Sequence, residues 1–143
     1  MKADYVQGKR LVQEYADSLK VDLCFQNFSE ELQNFETHYG PPDGCFLVDE
    51  QGRGCVGLRK FADGVGEMKR LYVVPAARGQ GVGEALSRRI IDEARKRGYR
   101  RLVLDTLPDM KAAQALYRSL GFREIPSYRY NPVPGTLFFE LPL

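Results

Sequence analysis

The chain has 143 residues, of which 43% are hydrophobic and 28% are charged, and its formal net charge at pH 7 is +2. These proportions are those of a globular protein and exclude a disordered or collagen-like chain, while so small a net charge gives no indication of a nucleic-acid partner. No apolar run is long enough for a membrane span, and the N-terminus lacks the apolar core of a signal peptide. We therefore expect one domain over residues 1–143, in the cytoplasm and without membrane contact.

The three cysteines, Cys24, Cys45 and Cys55, are widely spaced and have neither CxxC spacing nor a neighbouring histidine. This pattern predicts neither a disulfide framework nor a metal site. We expect free cysteines that behave as small buried hydrophobes.

The first 44 residues predict two helices. Apolar residues recur at three- and four-residue spacing over 8–20, as in an amphipathic helix. Ser29 is a candidate N-cap for a second helix that carries Leu32, Phe35 and Tyr39 on one side, and a Gly-Pro-Pro-Asp-Gly run stops it.

Three extended segments follow, at 45–49, 55–61 and 66–74, and turn-forming residues separate them. They predict an antiparallel meander.

The second half alternates helices with strands. Periodic apolar residues predict a helix over Val82–Lys96, a buried strand over 102–104, and a helix that Asp109 caps and Gly121 ends. A last strand is predicted at 136–141, after a Pro-rich loop. The whole predicts a mixed α/β sheet of the α+β type with helices packed on its faces.

A glycine-rich run, Arg78–Gly83, joins the strand ending at Val74 to the helix starting at Val82. Free N–H groups at a helix N-terminus can bind a pyrophosphate, and glycines permit positive φ and close approach of a ligand. The run lacks the Gly-Lys-Ser/Thr ending of a P-loop, and no suitably placed acidic residue follows it as in a dinucleotide-binding fold. A turn that needs glycine only for its shape is the alternative.

Two motifs carry a resemblance to a known family. Arg78, Gly81 and Gly83 fit the pattern Gln/Arg-x-x-Gly-x-Gly/Ala in register, and Leu116–Phe122 resembles a Leu-Tyr-x-x-Leu-Gly-Phe signature. Both are features of the GNAT superfamily of acyl-coenzyme A dependent N-acetyltransferases, which the chain resembles over roughly residues 45–125. Met110 departs from the pattern, because many members carry an asparagine there that helps to hold the cofactor.

The resemblance implies the GNAT fold, a mostly antiparallel sheet with one splayed strand pair and helices on both faces. It implies acetyl-CoA as co-substrate and no metal. The implied cofactor-binding residues are Leu71, Tyr72, Val73, Arg78, Gly79, Gln80, Gly81, Val82, Gly83, Met110 and Ala113. The strand at Leu71–Val73 would splay from its neighbour, and the N–H of Val73 would face the thioester carbonyl.

The resemblance also implies direct attack of an amine on the thioester, without an acyl-enzyme. Tyr117 would protonate the departing thiolate, and its alternative role is that of a core aromatic. Glu67 would act as general base, because an amine must lose a proton before it attacks. The alternative for Glu67 is an exposed strand glutamate paired with Lys69 or Arg59.

For the acceptor, the resemblance points to the first two helices and the C-terminal loop. The candidate residues are Phe25, Phe28, Tyr39, Tyr128, Arg129, Tyr130 and Asn131. Aromatic walls suit an uncharged or cationic guest, and Arg129 could hold an acceptor carboxylate. Core packing of the phenylalanines and surface positions for the tyrosines are the alternative. His38, the only histidine, is expected to be exposed and not catalytic.

A basic stretch, Arg88–Arg101, suits either phosphates or a solvated helix face, and no aromatic platform interleaves it. Three functions remain open: a small-molecule N-acetyltransferase, a protein lysine or N-terminal acetyltransferase, and a silent acyl-CoA-binding module. We favour the first, and the resemblance makes a homodimer a further possibility.

Overall fold

The computed structural model describes residues 1–19 and 27–143, which form a mixed α/β fold with one seven-stranded sheet. The helices are α1 (Tyr5–Ser18), α2 (Phe28–Gln33), α3 (Phe35–His38), α4 (Val82–Lys96) and α5 (Lys111–Ser119). The strands are β1 (Lys2–Ala3), β2 (Cys45–Val48), β3 (Gly54–Ala62), β4 (Val65–Val73), β5 (Arg101–Thr106), β6 (Arg123–Ile125) and β7 (Leu137–Pro142). None of the helices in these ranges is long and apolar enough to span a membrane.

The two predicted N-terminal helices are both present, but the N-cap predicted for the second helix is wrong. Helix α1 begins earlier than predicted because the Asp4 side chain accepts from the N–H of Gln7 at 3.0 Å. The second predicted helix is divided at Asn34 into α2 and α3. Ser29 is not its N-cap, since α2 begins one residue before Ser29, after Asn27 in a left-handed conformation.

The predicted meander and the predicted helix α4 are confirmed. The N-cap predicted for α5 is wrong. Strands β2, β3 and β4 pair antiparallel in sequence order, and α4 covers the predicted range. Asp109 does not cap α5, because a turn in which the N–H of Met110 donates to the carbonyl of Leu107 at 3.1 Å makes Met110 the cap residue. Strands β1 and β6, of two and three residues, are too short to have been predicted from periodicity.

The two central strands separate partway along their length, as predicted. The sheet order is β1-β2-β3-β4-β5-β7-β6, and only β4 and β5 are parallel. Their pairing covers Val65–Glu67 against Arg101–Val103 and then stops. Beyond Glu67, β4 continues with β3 alone and β5 with β7 alone, so a gap opens within the sheet.

Each face of the sheet has its own apolar cluster. Helix α4 and Tyr117 of α5 pack on one face, while α1, α3 and Phe46 form a cluster on the other. The described cysteines confirm the expectation of buried free thiols, because Cys45 belongs to the first cluster and Cys55 to the second. Burial raises the pKa of the Cys45 thiol to about 11. Cys24 lies outside the described residues.

A β-bulge in β4 reverses the faces to which its side chains point. Arg70 and Leu71 together oppose the single residue Val56 of β3, and Arg70 has a φ of 61°. Because of the extra residue, Met68 packs in the α4 cluster and Tyr72 in the α1 cluster, although four positions separate them. The left-handed conformation costs a residue other than glycine about 1–2 kcal/mol, so other contacts must hold Arg70 in it.

A buried ion pair supplies those contacts. Arg70 donates to Glu31 of α2 through Nε and a terminal nitrogen, both at 2.9 Å, and the two residues are 7% and 1% exposed. The Tyr39 hydroxyl donates to the same carboxylate at 2.8 Å, and the Phe28 ring lies 5.4 Å from the guanidinium carbon. The α2–α3 segment is thereby tied to the bulge.

The basic stretch at Arg88–Arg101 is paired with acidic side chains to a large extent. Its cations form ion pairs with four carboxylates, those of Glu84, Asp92, Glu93 and Glu140. The closest contacts, at 2.9 Å, are those of Arg97 with Glu93 and of Arg101 with Glu140. The pairing accords with a solvated helix face and leaves less uncompensated charge for phosphates.

The Glu31–Arg70 pair predicts an acid-sensitive fold. Burial alone would raise the pKa of Glu31, but hydrogen bonds and charge from Arg70 outweigh it and lower the pKa from 4.5 to about 2. A lowered folded pKa means that the stabilisation is complete above the unfolded value and is lost as the pH falls toward 2. Between about pH 5 and about pH 3, the wild type should lose about 2 kcal/mol more unfolding free energy than Glu31→Gln, as measured by urea unfolding.

The control for this comparison is Glu30→Gln, on an exposed neighbour in α2. That variant should keep the wild-type dependence on pH. Equal losses in the wild type and Glu31→Gln would show that the pair does not govern acid stability.

Candidate functional site

A cavity of about 60 Å³ occupies the gap between β4 and β5. Its walls come from the bulged part of β4, the end of β5, helix α5, helix α1 and the loop before β7; they are Met68–Leu71, Asp105–Leu107, Met110, Ala113, Tyr117, Tyr15 and Asn131. Tyr15 belongs to the α1 face and Tyr117 to the α4 face. The cavity therefore connects the two faces of the sheet, and its volume suits reacting groups better than a whole cofactor.

The turn before α4 has the shape that the glycine run predicts. Gly79 and Gly81 both have a φ of 81°, which favours glycine, and a Cβ at either position would meet no atom within 4 Å. No side chain caps α4, so its first N–H groups keep the capacity to bind an anion. Gly83 differs from the expectation because it lies within the helix without a positive φ.

The N-terminus of α4 lies next to the end of β4 and to α5. A Cβ at Gly83 would be 3.6 Å from both Val73 and Leu116 side chains. Arg78 closes the turn, since its Nε donates to the carbonyl of Val73 at 3.0 Å and its guanidinium carbon is 5.9 Å from the Tyr72 ring centre. The turn before α4 is thus beside the gap.

The N–H of Val73 faces the gap. The next N–H along the chain, that of Val74, donates to the carbonyl of Arg53 on the β3 side at 2.8 Å. Since successive N–H groups of a strand point to opposite edges, that of Val73 points to the edge where β5 has separated. This edge of β4 presents a backbone donor without a strand partner.

Tyr117 is buried and lines the cavity. Its ring contacts Phe122 and Phe139, with centroids at 5.7 and 6.2 Å. Burial, together with Tyr15 and Asp105, raises the pKa of Tyr117 above its ordinary value, so the hydroxyl keeps its proton at neutral pH. Tyr117 is thus a core aromatic whose side chain also lines the cavity, and its role as an acid stays a prediction.

Glu67 lies where β4 and β5 cease to pair, and it is 0% exposed. The Tyr128 hydroxyl donates to its Oε2 at 2.7 Å, and the Arg129 guanidinium contacts the same oxygen. The alternative of an exposed glutamate is wrong, since these two side chains cover it. Arg59 is nevertheless a neighbour, with its Nε 4.0 Å from Oε1.

The acceptor candidates divide into those near the gap and those elsewhere. Tyr128 packs against Phe61 and Phe138, with ring centroids at 4.9 and 5.3 Å, and Asn131 lines the cavity while donating to Asp105 at 3.4 Å. Tyr130 is 79% exposed.

The expectations for Tyr39 and for the exposure of His38 are wrong, whereas an acceptor role for Phe28 stays a prediction. Phe28 covers the Arg70 guanidinium, and Tyr39 is fully buried beneath Glu31, where it cannot line an acceptor cleft. His38 is half-buried and not exposed, because its Nε2 lies 2.8 Å from a terminal nitrogen of Arg59. Phe25 lies outside the described residues.

Sequence reasoning missed several residues of the cavity wall. Tyr15, Asp105 and Thr106 belong to it, and the buried Thr106 hydroxyl has no hydrogen-bond partner among the described residues. Burial and the neighbouring Arg70 lower the pKa of Lys69, also in the wall, to about 8. The sequence does carry one indication of the bulge and of the site, because Lys69 and Arg70 are adjacent cations in a strand that is largely buried.

No metal cluster accompanies the cavity in the part of the chain that the structure describes. Groups of three or more histidine, cysteine, aspartate or glutamate side chains that could hold a metal ion do not occur there.

Known proteins are similar to this chain in sequence and in fold. The sequence model of the acetyltransferase (GNAT) family matches residues 8–122. An uncharacterized N-acetyltransferase of Schizosaccharomyces pombe is 45% identical over 138 residues, which cover 93% of this chain and 85% of that protein. An IAA acetyltransferase of Azospirillum brasilense is 42% identical, with coverage of 80% and 78%.

The N-acetylaspartate synthetase of Rattus norvegicus is a larger relative. It is 33% identical over 141 residues, which cover 89% of this chain but only 47% of the synthetase. The present chain thus spans about half of its length.

Solved structures show the same fold. A GNAT acetyltransferase of Staphylococcus aureus has the same fold, with a TM-score of 0.78 at 20% identity, over 97% of this chain and 95% of that one. A GNAT acetyltransferase of Elizabethkingia anophelis, with acetyl-CoA bound, has a TM-score of 0.62 at 21% identity over 80% and 82% of the two chains. With a family model that matches most of its residues and relatives well above 30% identity, the chain belongs to the GNAT family of N-acetyltransferases.

Proposed function

We propose that this enzyme transfers the acetyl group of acetyl-CoA to the primary amine of a small molecule, by direct attack on the thioester. The observation that carries the proposal is the cavity that connects both faces of the sheet where β4 and β5 separate. A donor bound on the α4 side and an acceptor on the α1 side would meet there. Two relatives take their names from small compounds, IAA and N-acetylaspartate, which supports a small acceptor.

The α4 turn is the proposed site for the pyrophosphate of coenzyme A. The N–H groups of Gln80, Val82 and Gly83 and the positive end of the helix dipole suit an anion, and the open space at Gly79 and Gly81 admits it. The free edge of β4 at Leu71–Val73 would then bind the pantetheine arm through its backbone. Met110 and Ala113 supply cavity wall at the start of α5.

The free N–H of Val73 is the proposed donor to the thioester oxygen. A fixed backbone donor aimed at a developing negative charge stabilises the transition state without rearranging. The reaction forms a C–N bond and breaks the C–S bond, and the leaving thiolate takes a proton from Tyr117.

Glu67 is the proposed general base. The acceptor nitrogen loses two protons overall: one leaves through Glu67 to solvent before attack, and the other, released after attack, restores Tyr117. Since Glu67 is enclosed by Tyr128 and Arg129, the acceptor must displace at least one of them or act through water.

The first test is acetyl-CoA consumption against a panel of small amines, a lysine-containing peptide and a peptide with a free N-terminus. Thiol release with a small amine is the expected result. Turnover with the peptides alone would replace the proposal by a protein acetyltransferase. Tight acetyl-CoA binding without thiol release from any acceptor would indicate a silent module.

A second test removes the Tyr117 hydroxyl. Because a positioned general acid contributes about 100-fold or more, Tyr117→Phe should lower kcat by about that factor and leave acetyl-CoA affinity within about twofold. The measurements are steady-state kinetics and calorimetric titration with acetyl-CoA.

A matched control for this test is Tyr99→Phe. Tyr99 belongs to the same apolar cluster, but its hydroxyl donates to the backbone of Asp43 at 2.6 Å, away from the cavity. This variant should keep kcat. An unchanged kcat in Tyr117→Phe would remove Tyr117 as the acid.

A third test concerns the base. Glu67→Gln should lower kcat/KM by about 100-fold or more and remove the rise of kcat/KM with pH on the acidic side, since the amide cannot accept the amine proton. The pH–rate profile is the measurement. If Glu67→Gln retains the wild-type pH–rate profile, Glu67 is not the general base. The control is Glu140→Gln, which alters a carboxylate that is paired with Arg101.

A further inference from the structure

We propose that the Glu67–Arg129 ion pair is the recognition site for a zwitterionic acceptor, a small amine that also bears a carboxylate. On binding, the acceptor ammonium replaces Arg129 at Glu67, and the acceptor carboxylate replaces Glu67 at Arg129. The inference rests on the proposed function of the site and specifies its substrate class.

Glu67 cannot receive an amine in the arrangement described. It is fully buried, and two side chains that contact its Oε2, those of Tyr128 and Arg129, both come from the segment between β6 and β7. Arg59, on β3, remains at 4.0 Å. A guanidinium therefore occupies the position that a protonated amine must take.

The pair leaves hydrogen-bonding capacity unused on both sides. Glu67 Oε1 and Arg129 Nε are buried and have no hydrogen-bond partner among the described residues. Buried polar atoms without partners are unfavourable. A ligand that offers both an ammonium and a carboxylate can form the hydrogen bonds that the Glu67–Arg129 pair leaves unmade.

The surroundings favour a movement of Arg129 and not of Tyr128. The Tyr128 ring is fixed between Phe61 and Phe138, while the Arg129 side chain remains 21% exposed and contacts Phe61 with its guanidinium carbon 5.7 Å from the ring centre. Arg129 can therefore turn toward a ligand while it keeps an aromatic support. Asn131, two residues further on, already lines the cavity.

Charge balance makes the site selective. A zwitterion replaces one cation at Glu67 and one anion at Arg129, so the buried net charge does not change. An amine without a carboxylate would take Glu67 and leave Arg129 partly buried without the carboxylate that contacts it, which is unfavourable. Arg129 is accordingly a specificity-determining residue.

The experiment compares the preferred acceptor from the amine panel with the same compound whose carboxylate is replaced by an amide. In the wild type, the preferred acceptor should bear a carboxylate and exceed its amide in kcat/KM by 10-fold or more, as a charged hydrogen-bonded pair allows. In Arg129→Ala, this ratio should fall to within about twofold of unity, because the carboxylate loses its partner while the amide gains access to Glu67.

Two further variants keep the test decisive. Arg129→Lys retains the charge without the planar fork and should give an intermediate ratio, even if the alanine variant is unstable. Arg59→Ala removes a cation that lies 4.0 Å from Glu67 on the β3 side and should keep the wild-type ratio.

A preferred acceptor without a carboxylate, an unchanged ratio in Arg129→Ala and Arg129→Lys, or an equal collapse in Arg59→Ala would each overturn the inference. In these cases thiol release with a small amine would continue, so the proposed function would stand. Absence of thiol release with every amine would overturn both.

Discussion

The separation of β4 and β5 beyond Glu67 is the constraint on which the rest of the site depends. Three residue pairs hold the two strands together, and then each continues with a different neighbour. The separation frees a backbone edge at Val73 and joins the two faces of the sheet through one cavity. The α4 turn lies beside that edge, whereas Glu67 marks the last point of pairing. The proposed donor site and the proposed general base therefore both border the separated part of β4.

The bulge at Arg70 adapts β4 to this gap. By shifting the alternation of side chains, it places Met68 and Tyr72 on opposite faces and orients Arg70 toward Glu31. The ion pair ties α2 to the strand that borders the cavity, so α2 also holds the conformation of β4 at the bulge. Removing one partner of a buried ion pair commonly destabilises a protein by about 3–5 kcal/mol.

Local periodicity was sufficient to predict α4 and the meander, because each pattern lies within a short stretch of chain. The separated strands were expected only from the family resemblance that the two motifs carry. Local patterns were insufficient where distant residues decide. The bulge depends on Glu31, 39 residues from Arg70, and the burial of Glu67 depends on Tyr128, 61 residues away. The caps assigned to Ser29 and Asp109 were wrong because neighbouring turns determine where α2 and α5 begin.

The most direct measurement is a crystal structure of the enzyme with a bisubstrate analogue, in which an acetyl linker joins coenzyme A to an amine. The analogue should have its pyrophosphate at the N–H groups of Val82 and Gly83, and its linker should lie in the gap between Val73 and Tyr117. Its amine portion should extend toward Glu67 and the α1 face. An analogue bound entirely on one face, with the gap between β4 and β5 empty, would contradict the account.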